Sequence, residues 1–254
     1  VTVETQGDPQ QRRAELAASL EAVRGRIDEA CAAAGREPGE VRLLAVTKTF
    51  PASDAALLSD LGVTDLAENR DQEAAPKAAE VTELRPEAAV RWHMVGRLQR
   101  NKAKSVAGWA SEVQSVDSQR LAEALAKAVR TAQEAGTRSG PLDVLLQASL
   151  DTADDAARRG GCPLDELPQL ADVIARSGES LRLRGVMAVA PLGGDPEPAF
   201  ARLAEAHARV RRDHPDAVEL SAGMSGDLEA AVAHGSTCVR VGTALLGGRG
   251  LASP

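Results

Sequence analysis

The chain has 254 residues, the usual length of one (β/α)8 barrel, and 43% of them are hydrophobic, which supplies a sizeable core and excludes general disorder. A net charge of −7 excludes a protein that holds nucleic acid chiefly by electrostatics. Aromatic residues make up only 2% and there is no Tyr, so the core must be built from Ala, Leu and Val, and acid–base chemistry by tyrosine is excluded.

Residues 1–10 read as a flexible tail. Leu16, Leu20, Val23, Ile27 and Cys31 then recur every three to four residues, which marks an amphipathic helix, with Gly35 as a natural stop. Eight short apolar runs follow, at residues 41–47, 63–67, 90–95, 112–116, 143–149, 183–190, 217–220 and 237–241. Ala-rich helical stretches separate them. The one at residues 118–135 has Ser118 at its N-cap, Leu121, Leu125, Val129 and Ala132 on one face, and Gly136 after it. Continuous apolar strands with helical crossovers imply parallel pairing buried on both faces.

Eight such units over residues 11–254 predict one domain, a (β/α)8 TIM barrel with an extra N-terminal helix. An open, doubly wound sheet shares the pattern, because periodicity does not report closure. No run approaches 18 apolar residues, and the polar start is not a signal peptide, so no membrane is expected. Cys31, Cys162 and Cys238 are odd in number and far apart, which fits a reducing cytoplasm without disulfides.

Lysine is scarce: Lys48, Lys77, Lys102, Lys104 and Lys127 are the five, against 25 Arg. Lys48 ends the first strand, just before Pro51, where a barrel side chain points into the mouth that carries active sites. An ammonium desolvated there yields more readily the neutral amine that condenses with an aldehyde. A lysine that leans out of the strand end, or pairs with Glu68, is the competing explanation.

A second signal is Ser221-Ala222-Gly223-Met224-Ser225-Gly226-Asp227, and a third is Arg240-Val241-Gly242-Thr243. They fall in the loops after strands 7 and 8, where barrels commonly hold a phosphate. Glycines admit backbone N–H groups close to an anion, and the hydroxyls of Ser225 and Thr243 add donors. Either loop alone is ordinary turn chemistry. Together with Lys48 they point to one ligand carrying both an aldehyde and a phosphate, pyridoxal 5′-phosphate (PLP).

The blocks LLAVTKTFP (43–51), AENRDQE (67–73), WHMVGRLQRNK (92–102), VQSVDS (113–118), RLRGVMAVAP (182–191) and LSAGMSGDLEAAVAHGSTCVRVGTALLGGR (220–249) resemble the pyridoxal phosphate homeostasis protein family. That family is similar in fold to the N-terminal barrel of alanine racemase. The resemblance implies that Lys48 forms a Schiff base with PLP, and that Ser225, Gly242 and Thr243 bind its phosphate near the backbone of Met224. It also implies that Arg240 faces the pyridine nitrogen, and that Asn69 and His93 lie near the ring. An arginine does not give up its proton, so the ring nitrogen stays unprotonated and PLP is a poorer electron sink. Two positions depart from the family: Ala67 stands where a glycine is usual, and Arg159 where a lysine often occurs.

Other polar groups attract structural readings. His93, His207, His214 and His234 have no metal-ligand spacing, and no metal is expected. Arg97, Arg100, Lys102 and Lys104 read as a solvated helix face, Asp117–Ser118 as a cap, and Asp151, Asp154 and Asp155 as loop carboxylates. The function expected is a non-catalytic PLP-binding protein that buffers the cofactor or delivers it to PLP-dependent apoenzymes, as a monomer or weak homodimer. The alternatives are a PLP-dependent amino-acid racemase, which lacks its tyrosine here, and a Schiff-base aldolase, which leaves the family blocks unexplained.

Overall fold

The computed structural model describes residues 8–151 and 160–248. Helix α1 (Pro9–Ala33) starts at Asp8, whose carboxylate accepts from the Gln10 amide at 3.0 Å, with Pro9 at a position that needs no N–H. Helix therefore replaces the expected tail from Pro9 onward, because an Asp-Pro pair starts a helix before the apolar stripe begins. Leu16, Leu20, Val23, Ile27 and Cys31 are buried along one face, as their spacing predicts.

All eight apolar runs form strands: β1 (Arg42–Val46), β2 (Asp65–Glu68), β3 (Arg91–Met94), β4 (Glu112–Val116), β5 (Leu142–Gln147), β6 (Leu181–Met187), β7 (Glu219–Ser221) and β8 (Cys238–Val241). The crossovers carry α2 (Ala52–Asp60), α3 (Asp71–Leu84), α4 (Ala103–Trp109), α5 (Gln119–Glu134), α6 (Leu167–Ala175), α7 (Glu197–Asp213) and α8 (Leu228–Ala233), and α9 (Thr243–Leu246) follows β8. The strands pair in parallel and in chain order, and β1 pairs with β8 from Arg42↔Cys238 to Ala45↔Val241. That last pairing closes the barrel and removes the open-sheet alternative. No helix among the described residues is long and apolar enough to cross a membrane.

Most apolar burial lies between the strands and the surrounding helices. Inside the barrel the apolar filling is small: Leu44, Ala67 and Cys238, with Val46 and Val95 packed against them. The space toward the N-terminal ends of the strands is polar. His93 is fully buried there, with Nε2 2.8 Å from Asp65 Oδ1 and Nδ1 2.9 Å from Glu112 Oε1. Arg42 donates to Asp65 at 2.9 Å and to Glu219 at 2.8 Å. From Glu112 a chain of hydrogen bonds climbs the barrel: Gln114 Nε2 donates to Glu112 at 2.7 Å, and Ser221 Oγ donates to Gln114 Oε1 at 2.7 Å.

Burial works against every charge in this cluster. Hydrogen bonds from His93 and the charges of His93 and Arg42 outweigh it at Asp65 and Glu112, whose carboxyls fall to about 2. At His93 burial is outweighed by the bonds to Asp65 and Glu112, which raise its pKa above the usual 6.5. The carboxylates thus contribute stability above their ordinary pKa values, lost as pH falls toward 2. The imidazolium contributes fully below 6.5, and its contribution is lost as pH rises through the elevated value. Replacing His93 by Leu strands two buried carboxylates and is expected to cost about 3–5 kcal/mol near pH 6. Urea unfolding of both proteins should show that difference shrinking as pH is raised to about 9, where imidazole is neutral at its reference pKa; a pH-independent difference would remove the charge from His93.

Candidate functional site

The C-terminal ends of the strands enclose a cavity of ≈ 650 Å³, within the range of small-molecule sites. Lys48, Asn69, Met224, Ser225, Arg240, Gly242 and Thr243 all line it. His93 does not. Its position on β3 points it into the barrel below the cavity, where Asp65 and Glu112 hold both ring nitrogens, so it is not beside a ligand in the mouth.

Lys48 stands just past the end of β1, half-buried, and its amine has no hydrogen-bond or ion-pair partner among the described residues. Glu68 is not its partner. That carboxylate is fully buried and accepts at Oε1 from Lys77 Nζ at 2.6 Å and from Thr47 Oγ1 at 2.7 Å. Lys77 also donates to the Thr47 carbonyl at 2.9 Å, and so grips the backbone immediately before Lys48. Thr49, immediately after, has φ 69°, the only positive φ at a non-glycine among the described residues. Such a conformation costs about 1–2 kcal/mol and persists only where its surroundings enforce it. Sequence reading missed Lys77. The available signal was its helical phase with Ala74, Ala78 and Val81, which directs this rare lysine inward.

Arg240, on β8, is 5% exposed. Its guanidinium donates to the Ser221 carbonyl and hydroxyl, each at 2.8 Å, and to the Ala188 carbonyl at 2.7 Å. All three acceptors are neutral, and no carboxylate forms an ion pair with it among the described residues. Burial accordingly lowers its pKa below the usual arginine value. Three of its five N–H groups are used, which leaves donors on a cation that lines the cavity.

Across from Lys48, the loop after β7 turns at Gly223, where φ is 93° and a Cβ would lie 2.7 Å from the Ala231 Cβ. The Met224 amide is already taken by Asp227 Oδ1 at 2.6 Å. Met224 lines the cavity, and the backbone donors around it that stay free are those of the residues that follow. The amides of Ser225, Gly226, Gly242 and Thr243 donate to no protein group among the described residues. At Gly242 a Cβ would sit 3.2 Å from the Val46 carbonyl, a tight contact that glycine avoids. Helix α1 braces the loop from outside, with Arg26 donating to the Ser225 carbonyl at 2.7 Å and pairing with Glu229.

The family described as alanine racemase, N-terminal domain, matches residues 18–250. The pyridoxal phosphate homeostasis protein of Mycobacterium leprae is 48% identical over 259 aligned positions, covering 99% of this chain and 98% of that protein. The chain belongs to the pyridoxal phosphate homeostasis protein family. Among solved structures, PipY of Synechococcus elongatus with PLP bound is 33% identical, with a TM-score of 0.73 over 91% of this chain and 100% of that one. Alanine racemase from Corynebacterium glutamicum, 13% identical, shares the fold with a TM-score of 0.66 over 92% of this chain and 60% of that one.

Of the two departures from the homeostasis protein family, Ala67 is accommodated within β2, fully buried, with its carbonyl accepting from the Thr47 amide at 3.0 Å. Arg159 lies outside the described residues, as do Asp154 and Asp155. Ser118 stands at the N-terminus of α5, but its side chain makes no capping bond.

The grip of Lys77 on Glu68 yields a stability prediction. Lys77→Met should cost about 3–5 kcal/mol in urea unfolding, because it leaves a buried carboxylate without its cation. Adding Glu68→Gln should recover much of the loss; no recovery would mean that packing, and not charge, is what Lys77 provides.

Proposed function

We propose that residues 11–254 act as a single domain that binds PLP, holds it as a Schiff base on Lys48, and serves intracellular PLP homeostasis by buffering or delivery without strong catalysis. One observation carries this reading. An unpartnered lysine amine, a buried guanidinium with neutral partners only, and four free backbone amides line a single cavity large enough for the cofactor. The family relatives named for PLP homeostasis, and PLP in the related PipY structure, support it.

Bound there, PLP would supply an aldehyde that condenses reversibly with an amine. Lys48 supplies the amine, held in place by the strained Thr49 and the Lys77 grip on Thr47. Ser225, Gly242 and Thr243 hold the phosphate with hydroxyl and backbone donors. Arg240 presents a fixed donor to the pyridine nitrogen, which keeps that nitrogen unprotonated and the ring a weak electron sink. Asn69 closes the wall beside it. The 254 residues contain no tyrosine to act as the racemase's second base. The buried free thiols of Cys31, Cys162 and Cys238 fit a reducing cytoplasm, where PLP-dependent apoenzymes are the recipients in this reading.

Purified protein incubated with PLP should gain a visible absorbance band, and borohydride should fix a phosphopyridoxyl group on the peptide containing Lys48. Lys48→Ala should abolish both, and a colourless wild type would overturn the proposal. Exchange of the alanine α-proton in D₂O should stay at the rate of free PLP; rapid exchange would favour the racemase.

A further inference from the structure

Beside the cofactor cavity, and sharing Asn69 and Arg97 with it, lies a larger groove of ≈ 1020 Å³. The exits of β2, β3 and β4 build its walls. It gathers Arg97, Arg100 and Lys102 from the GRLQRNK segment, Arg120 from the first turn of α5 and Arg70 from the start of α3. Arg97, Arg100 and Lys104 are exposed, as a solvated face requires, and Arg97, Arg100 and Lys102 also line this concavity together with Arg120 from α5.

The charges in the groove are unbalanced. Arg70 pairs with Glu73 at 3.0 Å, and Lys102 stands 4.0 Å from Asp71. Asp71 is itself committed, accepting at Oδ1 from Ser105 at 2.7 Å and from Trp109 at 3.0 Å. Arg97, Arg100 and Arg120 make no hydrogen bond or ion pair among the described residues, and Asp117 is the one further carboxylate in the lining. Elsewhere on this acidic protein Arg12, Arg85 and Arg182 all find carboxylates. Three unpaired forks around one concavity suit an oxyanion that accepts from several N–H groups at once. The floor is apolar, formed by the buried Met94, Leu98 and Leu121.

We propose that this groove is a second ligand site, which takes the phosphate group of a small organic phosphate on Arg97, Arg100 and Arg120 and seats its carbon skeleton on Met94, Leu98 and Leu121. The site does not depend on PLP occupying the neighbouring cavity. Its test uses Arg100 and Arg120, which line only the groove.

Calorimetric titration of the full chain with inorganic pyrophosphate at low salt, after PLP has been fixed with borohydride, should show one saturable equivalent. The variant Arg100→Ala/Arg120→Ala should bind it at least tenfold more weakly, while its PLP absorbance and thermal midpoint match wild type. Affinity within twofold of wild type in that variant would overturn the proposal. So would displacement of pyrophosphate by a short single-stranded oligonucleotide, which would make the groove a nucleic-acid site. Should the protein fail to take up PLP at all, the unmodified chain is titrated alongside a Ser225→Ala/Thr243→Val variant. Loss of one equivalent in the arginine variant alone would then support the groove independently of the PLP reading.

Discussion

A guanidinium sealed into the mouth of the barrel, with no carboxylate paired to it among the described residues, is the constraint around which the rest is arranged. Taking such a group out of water costs several kcal/mol unless its protons are met. Arg240 meets three of them with oxygens of Ser221 and Ala188, and so ties β8 to β7 and to the end of β6. Ser221 passes the connection to Gln114, Gln114 to Glu112, and Glu112 to His93. The cation at the mouth is thus held by a polar column whose foot is the buried His93 between two carboxylates, which raise its pKa. Because all of its members are enclosed, each bond is stronger than it would be in water and each gap more costly.

The same economy of charge prepares Lys48. Had Glu68 faced it, the amine would have been held as an ammonium in an ion pair. Lys77 takes that carboxylate instead and adds a bond to the Thr47 carbonyl, leaving the amine of Lys48 without a partner among the described residues. Glu68 keeps one buried oxygen with no hydrogen-bond donor, so the arrangement carries a residual cost. A left-handed threonine and an unpaired amine directly follow Thr47, whose hydroxyl donates to the carboxylate that carries the orphaned oxygen. Departures from local optimum of this kind collect where a protein acts on something else.

Helix α1 belongs to this scheme although it contributes nothing to the sheet. Arg26 holds the Ser225 carbonyl, Arg36 holds the carbonyls of Val232 and Ser236, and Arg12 reaches the Leu246 carbonyl while pairing with Asp54. One long helix therefore clamps both loops that end the barrel. Of these carbonyls, that of Ser225 belongs to the cavity wall, where the neighbouring Gly226 amide donates to no protein group among the described residues.

The residues themselves determined the eight strands, the first helix and the place of Lys48. Strands buried on both faces are written as unbroken apolar runs, and a lysine closing the first of them stands out among so many arginines. The paired glycine loops were legible for the same local reason, since tight turns and close approaches demand particular residues. What the tertiary structure decided was depth, direction and partnership. Closure rests on hydrogen bonds between β1 and β8, separated by nearly the whole chain. His93 alternates inward like a cavity residue, but its height along the barrel axis places it below the mouth. Ser118 had the right position for a cap, and its bonding was settled by neighbours that no spacing reveals. Lys77 took Glu68, and Arg120 came to line one groove with Arg97, only through folding. Local sequence specifies backbone conformation and burial, whereas which charge meets which is a property of long-range packing alone.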